Sequence, residues 1–218
     1  MASDNQGWQD FTIQGSNEDE KLSAYYWPTD NPRGLLVIVH GLAEHAGRYD
    51  AFARYMNQRK IAVAAYDQRG HGRTAANGGK HGFVAPRQTT NILLADINRA
   101  IAWARQLVPG APLVLMGHSM GSLLVRVALA DPGLNESCKA AIFSGTAGHP
   151  GIAGRAGVLL AGLISLFRGP SHPSRLIDSM VFGAYAAKFS PVRTGFDWLS
   201  RDEAMVDAYI ADPWCGFT

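Results

Sequence analysis

An α/β fold is what this sequence predicts, with a mostly parallel sheet, helices on both faces and a helical cap. Three observations carry that expectation. Unbroken aliphatic runs at Leu35 to Val39 and Ile61 to Tyr66 read as strands buried on both faces, as parallel sheets require. Segments with helical spacing stand between such runs, so strand and helix alternate along the chain as far as Gly148. The stretch Leu113 to Leu124, LVLMGHSMGSLL, passes from an apolar strand through Gly117, His118, Ser119, Met120 and Gly121 into a second apolar run with helical spacing.

Taken in order, Trp8 to Gln14 and Lys21 to Trp27 read as two strands joined by the polar turn Gly15 to Glu20, a hairpin at a sheet edge. Leu35 to Val39 follows as a buried strand ending in His40, Gly41, Leu42, Ala43, Glu44 and His45. Tyr49 to Arg59 reads as a helix with Phe52, Tyr55 and Met56 on one side. Ile61 to Tyr66 is the next strand, closed by Asp67, Gln68, Arg69, Gly70, His71 and Gly72, and the glycine-rich loop Arg73 to Arg87 shows no periodicity. Ile92 to Val108 is the clearest helix. Leu93, Ile97, Ile101, Ala104 and Val108 recur at three to four residue steps, with Asp96, Asn98, Arg99 and Arg105 assigned to other faces. Pro112 to Met116 is a strand, Ser122 to Ala130 a buried helix ended by Asp131 and Pro132, and Ala140 to Phe143 one more strand. After Gly148 no strand is predicted. Gly151 to Phe167 is rich in Gly, Ala, Leu and Ile, Met180 to Phe189 is an apolar helical piece and Phe196 to Tyr209 an acidic, aromatic segment, together read as a helical cap at 148–218 over a core at 1–147.

A serine between two glycines, where a buried strand turns sharply into a helix, is the pattern of a nucleophile elbow. The serine takes a strained backbone conformation that lifts its hydroxyl clear of the sheet. The glycines two residues either side let strand and helix approach without a Cβ clash.

Composition narrows the field. With 218 residues, 47% hydrophobic and 17% charged, the chain suits one globular domain with an insertion. A net charge of +2, with the basic residues scattered, gives no field that would favour nucleic acid. The two cysteines, Cys138 and Cys215, lie far apart without metal-ligand spacing, which fits a reducing compartment. The first residues, MASDNQGWQDF, lack the basic and apolar regions of a secretory signal, and no apolar run reaches the roughly 18 residues of a membrane span. A soluble, cytoplasmic protein is expected.

HGLAEHAGRYD (His40 to Asp50), DQRGHGRTA (Asp67 to Ala75) and GHSMGS (Gly117 to Ser122), in that order, resemble the monoacylglycerol lipase and lysophospholipase branch of the α/β-hydrolases, the serine aminopeptidase-like hydrolases. The segment Arg193 to Phe217 is similar to the late cap of bacterial members. The resemblance implies the α/β-hydrolase fold and a serine ester hydrolase without cofactor. It makes Ser119 the acyl-accepting nucleophile and the backbone N–H groups of Leu42 and Met120 the oxyanion hole. Ala43 and Ser122 stand where relatives commonly have glycine.

A serine hydroxyl needs a histidine base oriented by a carboxylate, and in this fold the partners follow the nucleophile in the order acid, then histidine. After Ser119 the histidines are His149 and His172. Asp131 precedes them at the far end of the elbow helix, facing away, whereas Asp178, Asp197, Asp202, Asp207 and Asp212 come after both. By the resemblance the family continues with two more strands carrying the acid and base. The expectation is therefore a truncated portion of a longer hydrolase, or else a naturally shortened copy, without appreciable turnover.

Other polar residues have bland readings. His118 is expected to pack structurally, because neighbours on a turn point apart. His40, His45, His71 and His81 sit on separate loops without an H-x-x-x-H or a cysteine partner, so no metal site is expected. Asp67, Arg69 and His71 are expected to brace the loop beneath the site. His149 or His172 as an improvised base is disfavoured, since both lie in or beside the cap. The run Val158 to Phe167, with Gly154, Gly157 and Gly162 making it pliant, either buries against the core or lines an acyl tunnel and touches a lipid surface. The expected partner is a monoacylglycerol, lysophospholipid or similar single-chain ester, with peripheral membrane contact through the cap. The competing reading is a non-catalytic hydrolase-like protein that binds apolar ligands or a partner.

Overall fold

In the computed structural model, which describes residues 7–16, 20–149, 151–186, 189 and 191–217, the predicted strands join in one sheet of order β1-β2-β4-β3-β5-β6. They are β1 (Gln9–Gln14), β2 (Lys21–Trp27), β3 (Gly34–Val39), β4 (Ile61–Tyr66), β5 (Leu113–His118) and β6 (Cys138–Ser144). The hairpin β1–β2 lies at one edge and β2 runs antiparallel to β4, whereas β4, β3, β5 and β6 are mutually parallel. The chain leaves β3 for β4 on one side and later returns to β5 on the other. Such a reversal opens a crevice at the carboxyl ends of the two diverging strands, here β3 and β5. Val39 is in register with Gly117, so the loops beginning at His40 and His118 leave the sheet next to each other.

Helices α1 (Asp50–Asn57), α2 (Gly72–Ala76), α3 (Thr89–Leu107), α4 (Met120–Ala128) and α5 (Pro132–Ser137) complete this part of the chain. All six residues of β3 are buried, because successive side chains point to opposite faces and both faces are covered. Leu36 and Ile38 meet α1 through Ala53, Phe52 and Met56. Leu35, Val37 and Val39 meet α3 and α4 through Ile97, Ile101, Leu124 and Val125.

The structure corrects several expectations. Tyr55 does not share the buried side of α1. It is 50% exposed with the Arg59 guanidinium 3.5 Å over its ring, and Ala53 takes the buried place because the stripe facing the sheet is narrow. The loop 73–87 begins with the end of α2 and holds an isolated bridge between Lys80 and Phe83, both too short to produce periodicity. Asp96 belongs to the buried stripe of α3, not to another face, and is fully buried. Its place one residue before Ile97 fits the stripe, and the charge is matched by Arg69, Nε to Oδ2 at 2.6 Å. The elbow helix α4 is amphipathic, with Leu123 and Val127 40% and 50% exposed. Asp131 ends it and caps α5, accepting from the Leu134 amide at 2.9 Å.

Beyond β6 come α6 (Gly151–Arg168), α7 (Arg175–Asp178), a π turn at Ser179–Gly183, α8 (Ala184–Ala186), a 3-10 turn at Asp197–Leu199 and α9 (Glu203–Ala211). No strand occurs here among the described residues. The helix expected over Met180 to Phe189 is broken into the π turn and α8, and positions 187 and 188 lie outside the described residues. Within the acidic, aromatic segment Phe196 to Tyr209, the 3-10 turn is followed by α9 from Glu203, where Asp202 accepts the Ala204 amide. No helix of the described residues is long and apolar enough to cross a membrane. Among the described residues β6 pairs with β5 alone, and its Ile142 and Phe143 are each 42% exposed. An uncovered apolar strand edge of this kind favours association with other chains.

Candidate active site

Ser119 sits between the last residue of β5 and the first of α4, with φ +49° and ψ −116°. A non-glycine residue at positive φ is strained by about 1–3 kcal/mol and persists only where its surroundings dictate it. Here the Ser119 amide donates to the Ser144 carbonyl at 2.9 Å, and its own carbonyl accepts from the Ser122 amide at 3.0 Å. The Ser122 hydroxyl donates to the same carbonyl at 2.6 Å, so serine at that position ties down the elbow's backbone. A Cβ on Gly121 would stand 2.1 Å from the Val39 carbonyl oxygen, and one on Gly117 2.4 Å from that of Gly121. Only glycines permit this crossing. Ser119 is exposed, and its Oγ has no hydrogen-bond partner among the described residues.

The loop after β3 lies against the elbow. A Cβ on Gly41 would come within 3.2 Å of the Ser119 Cβ. Glu44 folds this loop back on itself, because its Oε1 accepts the Gly41 amide at 2.6 Å and the Tyr49 hydroxyl at 3.0 Å. Its Oε2 accepts Arg48 Nη1 at 2.5 Å. Ala43 has φ +56°, the left-handed region that favours glycine. Its carbonyl is held by two donors from the far end of the chain, the Tyr209 hydroxyl at 2.8 Å and the Gly216 amide at 3.0 Å. Between these tethers the Leu42 amide has no acceptor among the described residues, and neither has the Met120 amide at the first turn of α4. Ser119, Met120 and the loop carrying Leu42 are thus brought together. Two unengaged main-chain donors beside a protruding hydroxyl can hold an oxygen on which negative charge develops.

Beneath the site lies a buried polar layer. His40 Nδ1 donates to the Gly41 carbonyl at 2.7 Å and its Nε2 accepts the Gln68 amide at 3.0 Å. Asp67 accepts the Tyr25 hydroxyl and the amides of Ala46 and Arg73, each at 2.7–2.8 Å. His71 Nδ1 donates to the Arg69 carbonyl at 2.8 Å. These contacts match the bracing role expected of Asp67, Arg69 and His71. Burial, and for His40 the neighbouring His71, hold both imidazoles below their ordinary value of 6.5, His40 far below it. The unfolded chain protonates both rings near that value while the folded chain does not, so the unfolded state binds more protons. Stability is therefore expected to fall as pH drops below 6.5, by about 1.4 kcal/mol per pH unit for each ring that stays neutral. Urea midpoints at about pH 7 and about pH 5.5 check this, and His40→Gln should show the shallower dependence.

The histidines that follow Ser119 do not reach it. His149 Nδ1 accepts the Gly151 amide at 3.0 Å, and His172 lines a cavity that Leu42 also lines, without a hydrogen bond to Ser119. His118 packs structurally as expected, its Nδ1 3.1 Å from the Ser144 hydroxyl. Sequence reasoning missed the closure of the chain end onto the loop after β3. His45 Nε2 meets Asp212 Oδ2 at 2.7 Å, and Phe217 packs against His71 and His81 at ring distances of 5.2 and 5.1 Å. Contacts across 167 positions leave no local signal. A cavity of about 310 Å³ opens beside this junction, lined by Leu42, His81, Ile164, His172, Phe182 and Phe217.

Comparison with known proteins gives the chain a family. The profile of the family described as “Serine aminopeptidase, S33” matches residues 30–218. The “Monoacylglycerol lipase” of Mycolicibacterium smegmatis is 32% identical over 186 residues, covering 85% of this chain and 58% of that protein. The “Monoglyceride lipase” of Rattus norvegicus is 29% identical over 207 residues, covering 94% of this chain and 60% of that protein. The chain spans no more than 60% of either relative's length. A thermostable carboxyl esterase from Bacillus coagulans, solved in complex with glycerol, superposes with a TM-score of 0.84 at 27% identity, over 97% of this chain and 67% of that one.

Proposed function

Because the chain belongs to the serine aminopeptidase S33 family and has the α/β-hydrolase fold, we propose that it is the nucleophile-bearing part of a serine ester hydrolase. Its substrates are monoacylglycerols, lysophospholipids or similar single-acyl esters. The observation that carries the reading is Ser119, exposed at positive φ, next to the unengaged amide of Met120 and packed by the loop that bears the unengaged amide of Leu42.

In this reading Ser119 Oγ attacks the ester carbonyl carbon while a histidine takes its proton. The oxyanion accepts hydrogen bonds from the Leu42 and Met120 amides, each worth roughly 10²–10³ in rate. The alcohol leaves with that proton, and water then cleaves the acyl-serine to release the fatty acid. Residues 1–147 serve as the core and 148–218 as the cap. The cavity beside Leu42 offers an apolar wall to the acyl chain. Val158, Leu159, Leu166 and Phe167 on α6, each more than 70% exposed, give the cap its contact with a lipid surface in the cytoplasm.

No histidine among the described residues reaches Ser119, so the 218-residue chain by itself should show no Ser119-dependent turnover. A chimera in which residues 1–218 precede the matching C-terminal remainder of the Mycolicibacterium smegmatis lipase should hydrolyse monoacylglycerol. Ser119→Ala should then cost roughly 10⁴-fold or more. Hydrolysis that survives Ser119→Ala contradicts the proposal. A folded chimera that binds monoacylglycerol without cleaving it supports the binding-protein reading instead.

A further inference from the structure

We propose that His45, Asp212 and Cys215 form a binding site for a zinc-type divalent cation, joining the loop after β3 to the end of the chain. One ligand atom from each residue lies within 4.8 Å of the others, and His45 Nε2 is already 2.7 Å from Asp212 Oδ2. Zinc bonds of about 2.0–2.3 Å place tetrahedral ligands roughly 3.3–3.7 Å apart, so side-chain shifts of about an ångström complete the site. An imidazole, a carboxylate and a thiol are a donor set that suits zinc over magnesium or calcium. Three protein ligands leave the fourth position to water.

The donors are held in place before any ion arrives. The His45 ring stands edge-on to Trp214, with centroids 5.3 Å apart and planes at 89°. Gly47 makes room for that ring, since a Cβ there would lie 3.1 Å from Nδ1. Asp212 Oδ1 accepts the Trp214 amide at 2.9 Å, which commits Oδ2 to the cluster. The side chains of His45 and Asp212 keep 10% and 25% exposure, enough for an ion to enter. Zinc is held by the thiolate, so a cation that binds there displaces the Cys215 thiol proton. His45 has no cysteine partner near it in sequence, and the fold brings Cys215 to it. A cation at this point would fasten the segment whose Tyr209 and Gly216 hold the Ala43 carbonyl, next to Leu42.

Cobalt(II) titrated into the purified 218-residue chain tests the site. A sulfur-to-cobalt charge-transfer absorption saturating at one ion per chain, displaced by zinc, is expected. Zinc at about 100 times its dissociation constant should also raise the melting temperature by several degrees. Both signals should vanish in Cys215→Ala and persist in Cys138→Ala, and Asp212→Asn should weaken zinc binding about tenfold or more. Absence of the band in the unmodified chain overturns the proposal without reference to any variant. A band that survives Cys215→Ala overturns it as well.

Discussion

Asp96→Ala is expected to destabilise the fold by about 3–5 kcal/mol, the range for breaking a buried ion pair from one side. The side chains of Asp96 and Arg69 are 0% and 4% exposed, and the carboxylate receives Arg69 Nε at 2.6 Å and Nη2 at 3.1 Å. It also accepts the Ser16 amide at 2.6 Å. Removing it leaves a buried guanidinium whose remaining acidic partner is Glu20, 3.3 Å away, together with a part-buried amide that loses its acceptor. The pair carries more cost when halved than when removed whole. Asp96→Ala combined with Arg69→Met should therefore be less destabilised than Asp96→Ala alone. Urea unfolding of the two variants and the parent measures both differences, and an Asp96→Ala loss below about 1 kcal/mol would show the pair to be solvated.

Gly121→Ala is the second large expectation, a loss of roughly 3 kcal/mol or more. The added methyl would meet the Val39 and His40 carbonyl oxygens at 2.1 and 2.4 Å. Both acceptors are main chain at the end of a central strand, so relief requires α4 to lift off β3. Lifting it would also move Ser119 relative to Leu42. Gly162→Ala is the matched control. It lies inside α6 with nothing within 4 Å of an added Cβ, and should gain about 0.5–1 kcal/mol from helix propensity. Equal effects at the two glycines would contradict the crossing described here.

The sheet and the elbow were legible in the sequence because both are local signals. The runs at Leu35 and Ile61 announce buried strands, and Gly117 and Gly121 are required by contacts within one strand-turn-helix unit. What escaped was set by partners distant in the chain. The charge of Asp96 points away from the core, although Arg69 neutralises it there. Tyr209, Asp212, Cys215 and Gly216 gave no hint that they close over Ala43 and His45, since nothing near them in sequence encodes that contact. Ala43 itself shows the difference. Its identity reads as a small departure from glycine, and only the fold shows that its carbonyl is pinned from two sides at φ +56°.

Labelling by a fluorophosphonate probe, located by mass spectrometry, tests the central claim most directly, because the probe reports a serine that is both activated and faced by oxyanion donors. In the chimera described above the label should fall on Ser119 and disappear in Ser119→Ala, while the 218-residue chain alone stays unlabelled. A folded chimera labelled at another serine, or left unlabelled while it hydrolyses esters, would contradict the assignment of Ser119 as the acyl acceptor.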